Sequence, residues 1–444
     1  MILAPTNRLV MTAFVAGVPL LTAAGFLGGG LAGAGIALAV LGVVAAGDAM
    51  AGHGLARGLA VVMVADTRAT QDRPFSISAN VSGGGHVRLA LDPPDGWDGA
   101  LDTLDAGPGP SERSVTWRIV PRDRGRHTVT SVYHECLSPL GWWAWRGSTD
   151  TRAAVRVYPD LRPDRGALAP LFLRKAAIGL HRTRAIGKGR EFEQLREYLP
   201  GDGYEDIEWK ATARRGRPVT KVHQVERSQD VYIVVDASRR SIRRLSEVEA
   251  AGGRAPTQMD RFVRAAMAMT LAAIQQGDRP GLAIFGASLS TFLRAGGGQP
   301  QYAACRDKLF DLQATHRPPD FAELFADLRN RVRHRALLVF LTDLDDPVLA
   351  TQFTDEVTHL SRQHLVLVGQ IQAPGTAPLF QADDHPAGDD DVYHKVAGQL
   401  LWEGARQTRA NLRAAGVHCV TTSSESLVAD MISAYLDLKR RQLL

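Results

Sequence analysis

The stretch VYIVVDASRR, residues 231–240, indicates the fold of the C-terminal half of this 444-residue chain. Its first five residues form an apolar run of the length of a buried strand, and the run ends at Asp236. Similar short runs recur downstream and alternate with helical patterns. Strands that alternate with helices predict a mostly parallel, doubly wound α/β sheet over residues 231–444.

The elements around this stretch can be placed from their residue patterns. Asp346 is a predicted N-cap with Pro347 at the first helical position, and Thr422 with Glu425 predicts a capping box for the last helix. Arg261–Gln276 predicts a further helix. The other predicted strands are Gly281–Phe285, Ala336–Thr342, His364–Gln370 and Val417–Thr421. Asp236 and Asp343 each follow a strand, and ligands of such sheets bind at the carboxyl ends of strands.

The first fifty residues contain two uncharged runs, Leu9–Leu27 and Leu31–Gly47, joined by three glycines. As helices they rise roughly 28 and 26 Å, close to one hydrocarbon core each. They predict a membrane hairpin of two helices within residues 1–50. A secretory signal peptide is the alternative, because Arg8 precedes the first run, but the second run does not fit a cleaved signal.

The charges that flank the two runs predict the orientation of the hairpin. Arg8 precedes it, Arg57 and Arg68 follow it, and the connecting turn is uncharged. The positive-inside rule then places both ends in the cytoplasm. We expect a protein of the inner membrane whose soluble domains lie in the cytoplasm.

Residues 60–160 carry short β-branched runs separated by glycine- and proline-rich breaks, which predict an antiparallel β sandwich. Trp142, Trp143 and Trp145 lie near its end. They fit either a hydrophobic contact between the sandwich and another layer or an aromatic anchor that rests on the membrane surface. Three widely spaced cysteines, Cys136, Cys305 and Cys419, predict no disulfide framework and fit a reducing compartment.

Charge and motifs restrict the classes of function. The chain has 52 basic and 47 acidic residues, an excess of five, and segment 174–227 has the same excess, with 13 basic and 8 acidic residues. This segment makes nucleic-acid binding an alternative function, but its alternating signs favour internal ion pairs, so no nucleic-acid partner is expected. The sequence has no P-loop, HExxH or GxSxG motif and no GxGxxG motif that opens a helix after a strand, which argues against an enzyme.

The densest unusual stretch is GKGREFEQLREYLPGDGYEDIEWKATARRGR, residues 187–217, which lies in a polar, basic segment at 161–230. Its aromatic and charged residues predict a structural clasp or a protein-binding surface, with Trp209 as a buried anchor in a short strand or turn. The stretch resembles the signature of the bacterial domain-of-unknown-function family 58, DUF58. The matching positions are Gly189, Glu191, Phe192, Leu195, Arg196, Tyr198, Gly201, Asp202, Ile207, Trp209, Ala213 and Arg214. One departure is Glu205 and Asp206, where the family usually has a basic residue.

The resemblance implies an architecture and a partner. It implies a membrane hairpin, a β domain that ends at Tyr158–Leu161, the signature segment and a von Willebrand factor A-like domain. Proteins of this kind resemble companions of MoxR-type AAA+ ATPases, which are thought to assemble or activate other complexes. No catalytic activity is implied, and the client protein is not specified.

The von Willebrand A-like fold also implies a metal site of the form Asp-x-Ser-x-Ser, with a Thr from a second loop and a later Asp. The ligand candidates here are Asp236, Ser238 and Asp343, but Arg240 occupies the last Ser position and Asp320 stands where Thr is expected. Mg²⁺ prefers oxygen ligands, and an arginine could neutralise these carboxylates instead. The sequence therefore predicts weak Mg²⁺ binding or none. A metal-dependent enzyme that uses Asp236 and Asp343 is an alternative.

These observations favour a membrane-anchored cytosolic scaffold that binds protein partners and works with a MoxR-type ATPase. We expect the partner to dock at the strand ends that carry Asp236 and Asp343, beside a cluster of basic residues. We name the four residues Arg239, Arg240, Arg243 and Arg244 the arginine cluster.

Overall fold

The computed structural model describes residues 1–19, 22, 30–63, 67–99, 103–107, 112–164, 166, 186–199, 204, 207–224, 228–245, 255–379 and 389–441. The described residues up to Asp160 form one compact unit, and those from Leu161 onward form a second.

The N-terminal unit contains two β-sheets. One sheet has the strand order β1-β10-β9-β5-β7 with β3 beside β10, and the other has the order β2-β4-β8-β6. The strands are β1 (Ile2–Pro5), β2 (Ala60–Met63), β3 (Thr67–Thr70), β4 (Phe75–Ser82), β5 (Val87–Leu91), β6 (Trp97–Asp98), β7 (Leu104–Ala106), β8 (Arg113–Pro121), β9 (Gly125–Leu137) and β10 (Trp143–Tyr158).

Alternate residues of both sheets enter one shared core. Ile77 and Val81 of β4, Trp117 of β8, and Val87 and Val132 of the other sheet are buried together, as the period of two in a strand requires. One pair departs from the antiparallel prediction, because β3 runs parallel to β10. These two strands are distant in sequence, so no hairpin turn fixes their relative direction.

The first 57 residues begin with a strand that belongs to this unit and end with a helix that leads back to it. Strand β1 pairs antiparallel with β10 and is followed by helix α1 (Asn7–Thr12) and a π-helical turn, Ala13–Gly17. Helix α2 (Gly30–Arg57) then leads back to the sheets. Within the described part of the chain, one helical segment is long and apolar enough to cross a membrane, Leu38–Arg57. The first predicted run lies partly outside the described residues, so the two-helix hairpin stays a prediction.

The end of α2 is held against the sheet by polar contacts. The Asp48 carboxylate is buried and accepts hydrogen bonds from the Ser138 hydroxyl at 2.6 Å and the Leu140 amide at 2.9 Å. The indole N–H of Trp143 donates to the Ala45 carbonyl at 2.8 Å. Trp145 donates likewise to Ala49 at 3.3 Å. Two of the three tryptophans therefore attach the helix to the sheet.

The second unit is built on a sheet with the strand order β15-β14-β13-β16-β17-β18. The pairs are parallel except for β15, which runs antiparallel to β14. The strands are β13 (Asp230–Asp236), β14 (Arg279–Phe285), β15 (Leu289–Leu293), β16 (Leu337–Leu341), β17 (Leu365–Ile371) and β18 (His418–Thr422).

Helices cover both faces of this sheet, because its strands are apolar on both sides. Val231, Ile233 and Val235 of β13 face one core, and Tyr232 and Val234 face the other. Each fully buried aliphatic side chain stabilises the fold by about 1.5–3 kcal/mol. The helices are α3 (Trp209–Arg215), α4 (Gln258–Gln275), α5 (Gly298–Leu309), α6 (Phe321–Arg331), α7 (Pro347–Leu360), α8 (Asp389–Ala414) and α9 (Leu427–Arg440). Helices α4 and α9 pack in the first core and α6 and α7 in the second.

Two predicted helix starts had different outcomes. The Asp346 carboxylate accepts from the amides of Val348 and Leu349, with Pro347 in the first turn, so that cap is confirmed. The capping box of Thr422 with Glu425 is wrong, because α9 begins only after Ser426. The Thr422 hydroxyl instead hydrogen-bonds Ser426 and Asp430.

Candidate functional site

The carboxyl edge of the second sheet is organised around Asp236. The neighbours of β13 are β14 on one side and β16 on the other, so the strand order reverses there and a crevice is expected outside the strand ends. The fully buried Asp236 carboxylate accepts from the Ser238 amide at 2.8 Å and the Thr342 hydroxyl at 2.7 Å. Each carboxylate oxygen thus has a protein donor. Burial nevertheless raises the pKa of Asp236, although these hydrogen bonds oppose the shift.

Asp343, at the end of the neighbouring strand, is paired with two arginines. It is 1% exposed, and Arg240 Nη2 lies 3.2 Å from its Oδ1. Arg243 Nη2 lies 3.3 Å from Oδ2, and Nη1 of the same arginine lies 2.8 Å from Asp345 Oδ2. Burial raises the pKa of Asp345, as does Asp343, and the guanidinium of Arg243 opposes the shift. The arginine pair therefore neutralises carboxylates that would otherwise be buried without a counter-charge.

A short 3-10 turn, Arg239–Ile242, brings both arginines to the carboxylates. The Ser238 hydroxyl caps it by accepting from the Arg240 amide. The side chain of Ser241 bonds the Asp236 carbonyl at 2.6 Å. Residues three apart eclipse one another in such a turn. Arg240 and Arg243 therefore point to the same carboxylates, while Arg239 and Arg244 are exposed.

The ligand set expected for Mg²⁺ does not fit this geometry. Two guanidinium groups already lie on Asp343, and a divalent cation beside them would be repelled. Asp236 is bonded through both oxygens. Asp320 is the N-cap of α6 and accepts from the Glu323 amide at 3.0 Å. This edge therefore holds a guanidinium pair where the expected site would hold a metal ion.

Sequence reasoning missed three participants at this edge. Thr342 bonds Asp236, Asp345 shares Arg243 with Asp343, and the Thr315 hydroxyl donates to the Ala237 carbonyl at 3.0 Å. Thr342 and Asp345 lie one and two residues from Asp343. Both are polar residues that closely follow the apolar strand β16, and this pattern could have predicted their place at the carboxyl edge. Thr315 lies in an irregular loop that had no such signal.

The signature segment differs from the expected buried clasp. Trp209 is 69% exposed and begins helix α3 rather than lying in a strand, so its prediction as a buried anchor is wrong. Tyr204 is 79% exposed and its ring stacks on Tyr198 at 6.1 Å. The smaller Ile207 makes the buried contact instead.

The other signature positions are distributed over a strand and the helix that follows it in the chain. Glu191, Phe192 and Arg196 lie on β11 (Ile186–Glu197), which pairs antiparallel with β12 (Val219–Gln224). Arg214 lies in the last turn of α3. Gly201 and Asp202 lie outside the described residues, as does much of the basic segment 174–227 that was weighed for nucleic-acid binding.

Known proteins resemble the chain in part. No curated protein has a significant match. The SpRpn10 VWA domain is 11% identical, with a TM-score of 0.27, and the match covers 47% of this chain and 95% of that domain. An aerotolerance-related membrane protein from Bacteroides fragilis NCTC 9343 is 13% identical, with a TM-score of 0.27, and covers 47% and 99%. Mussel byssus proximal thread matrix protein 1 is 12% identical, with a TM-score of 0.26, and covers 47% and 45%. Residues 194–381, a stretch that begins within β11 and ends beyond β17, match the family described as Protein of unknown function DUF58.

Proposed function

We propose that this protein is a membrane-anchored adaptor that docks a protein partner at the carboxyl edge of its second sheet. Arg240 and Arg243 neutralise Asp343 and Asp345, and this leaves Arg239 and Arg244 exposed beside them. An edge of fixed internal ion pairs with exposed guanidinium groups can select an acidic partner surface without a metal ion.

The partner that we propose is a MoxR-type AAA+ ATPase. The chain has no P-loop motif, so ATP-driven work on a client would have to come from another protein. The match to DUF58 over residues 194–381 supports this choice. Because exposed charge pairs are screened over about 8 Å at physiological ionic strength, the association should weaken as salt rises.

The membrane part of the proposal is a hairpin with both ends in the cytoplasm. Its support is the apolar helix Leu38–Arg57 and the contacts that fix the end of α2. The apolar side chains Ile36, Leu38, Val40 and Val43 are exposed, and Asp48 is bonded to Ser138 and Leu140. A row of exposed apolar residues that ends at a polar attachment fits a helix leaving a bilayer for a soluble domain.

The docking edge is tested by reversing only its exposed charges. Reversing the whole arginine cluster would bring glutamates against Asp343 and unfold the site, so the variant is Arg239→Glu with Arg244→Glu. The matched control reverses two exposed arginines of α8, Arg406→Glu with Arg413→Glu. Tagged protein is captured from membranes at low salt, and the recovered ATPase is quantified.

We expect the edge variant to recover several-fold less ATPase than the parent, while the control recovers as much as the parent. Both variants should melt at the parental temperature. Equal capture by the edge variant would show that this edge is not the docking surface. Failure to recover any AAA+ ATPase at any salt concentration would remove the proposed partner.

A further inference from the structure

A second feature of the doubly wound sheet lies at its amino edge, opposite the strand ends that carry Asp236. A cavity of about 520 Å³ opens there between the starts of β13 and β14, the end of β15 and the loop after α6. This volume lies within the range of small-molecule sites, about 300–1,000 Å³.

The wall of this cavity is strongly basic. Its lining includes four arginines, Arg279, Arg294, Arg331 and Arg333, and a single carboxylate, Asp230, so that the lining carries a net charge of +3 with His334 neutral. Asp230 is bonded to Arg279 at 2.8 Å. Within the described part of the chain, no carboxylate pairs with Arg294 or Arg333. These two guanidinium groups are therefore available to an anion.

Beside the cavity, the ring of Phe292 contacts both Tyr232 and Arg331. The ring of Phe292 stacks on Tyr232, with centroids 5.5 Å apart and an angle of 15° between the rings. The guanidinium of Arg331 lies over the same Phe292 ring at 5.4 Å, an arrangement that holds a cation in a defined orientation.

Tyr232 adds a buried hydrogen-bond donor. It is 5% exposed, and its hydroxyl oxygen accepts from the Ala295 amide at 3.4 Å. The hydroxyl proton has no acceptor among the residues that the structure describes. Burial raises the pKa of Tyr232, so the hydroxyl keeps this proton at neutral pH. A buried donor without an acceptor is costly unless a ligand or water completes it.

We propose that this cavity binds a ligand through its phosphate groups, with Arg294 and Arg333 pairing with the phosphate oxygens and the Tyr232 hydroxyl donating to one of them. Guanidinium groups match phosphate oxygens in bidentate geometry, and such charge-assisted bonds are the strong ones. The net charge of +3 favours pyrophosphate over a single phosphate. This site is independent of the docking edge, which lies at the opposite ends of the strands.

The proposal is tested by titration calorimetry on the full chain in detergent micelles, with pyrophosphate and inorganic phosphate as probes. We expect pyrophosphate to bind more tightly than phosphate. Arg294→Gln with Arg333→Gln should weaken pyrophosphate binding at least about tenfold. The same charge change on α8, Arg406→Gln with Arg413→Gln, should leave it unchanged.

Tyr232→Phe distinguishes a built site from a general positive field, because it keeps the ring stack and the charge and removes only the hydroxyl, whose bond from the Ala295 amide is a long one at 3.4 Å. We expect weaker pyrophosphate binding with an unchanged melting temperature. No measurable binding by the parent, or equal loss in the cavity and α8 variants, would overturn the proposal.

Displacement of pyrophosphate by vesicles containing phosphatidic acid would assign the phosphate to a lipid headgroup, and no displacement would assign it to a soluble ligand. Either result supports the phosphate chemistry.

Discussion

Arg240 and Arg243 determine the chemistry of the carboxyl edge because their positive charge is permanent and covalently attached. A metal ion at such an edge is bound or lost with its concentration, and it leaves open positions for a partner's oxygen ligand. A guanidinium pair is part of the chain, so the counter-charge of Asp343 does not depend on the concentration of a metal ion. Partner binding at this edge should therefore survive chelators.

A metal titration tests this difference. We expect no change in the melting temperature of the parent with Mg²⁺ or Mn²⁺. Arg240→Ser with Arg243→Ala removes both cations and restores the Asp-x-Ser-x-Ser pattern, so the melting temperature of this variant should rise with added Mn²⁺. Micromolar binding by the parent, abolished in Asp236→Ala, would falsify the arginine-for-metal assignment.

The buried Asp236 makes stability depend on pH. Burial raises its pKa in the folded state, so the folded protein holds a proton that the unfolded chain releases between the ordinary pKa and the raised one. The free energy of unfolding then falls as pH rises through that interval, by at most about 1.4 kcal/mol per pH unit.

Asp236→Asn keeps the shape of the side chain and cannot titrate. We expect a flatter dependence of the free energy of unfolding on pH, measured by urea unfolding from pH 4 to pH 8. The pKa of Asp345 is raised as well and titrates in both proteins, so some slope remains. An identical slope in parent and variant would show that Asp236 does not carry the effect.

Trp209 should contribute little to stability, since it is 69% exposed. We expect Trp209→Ala to change the free energy of unfolding by no more than about 0.5 kcal/mol, as surface substitutions do. Truncation of Ile207, which is 9% exposed, should cost more. A loss of several kcal/mol in Trp209→Ala, measured by urea unfolding, would restore the buried-anchor interpretation.

At the scale of elements, the contact between α2 and the first sheet depends on a glycine. A Cβ atom at Gly52 would lie 3.0 Å from Ser138 Cβ and 3.1 Å from the indole nitrogen of Trp145, whereas one at Gly54 meets nothing within 4 Å. Alanine favours a helix over glycine by about 1 kcal/mol, so the two positions should respond in opposite directions.

We expect Gly54→Ala to raise the melting temperature of the full chain in detergent and Gly52→Ala to lower it. The clash at Gly52 should outweigh the gain in helix propensity, because overpacking costs about 1–3 kcal/mol. If both substitutions stabilise the protein, the helix does not pack on Ser138 and Trp145 as described.

Local signals predicted the elements better than they predicted the site. Asp346 followed by Pro347 fixes a helix start by itself, and the apolar runs fix the parallel strands. The start of α9 was harder to predict, because several neighbouring residues carry a hydroxyl group that can cap a helix. In the structure, Thr422 hydrogen-bonds Ser426 and Asp430. Trp209 was misplaced because aromatic character predicts burial only on average. The pairing of Arg243 with Asp343 joins residues 100 positions apart, and no periodicity in the sequence records it.

At the scale of the whole molecule, the pairing of β1 limits the membrane topology. Strand β1 (Ile2–Pro5) pairs with β10, and the Thr6 hydroxyl donates a hydrogen bond to the Gly141 carbonyl at 2.6 Å. Helix α2 returns to the same sheets, where Trp143 bonds Ala45. A chain that leaves one unit and returns to it crosses the bilayer an even number of times.

The last prediction follows from this geometry and from the flanking charges. Arg8 and Arg57 lie on the two arms of the segment, so the side they share should be the cytoplasm. After Arg57, no helix among the described residues is long and apolar enough to cross a membrane. We therefore expect reporter fusions after Ala60 and after Leu444 to behave alike, and both to report a cytoplasmic position. Opposite signals from the two fusions would show a membrane crossing after Ala60, and a shared periplasmic signal would contradict the charge rule while leaving the pairing of β1 with β10 intact.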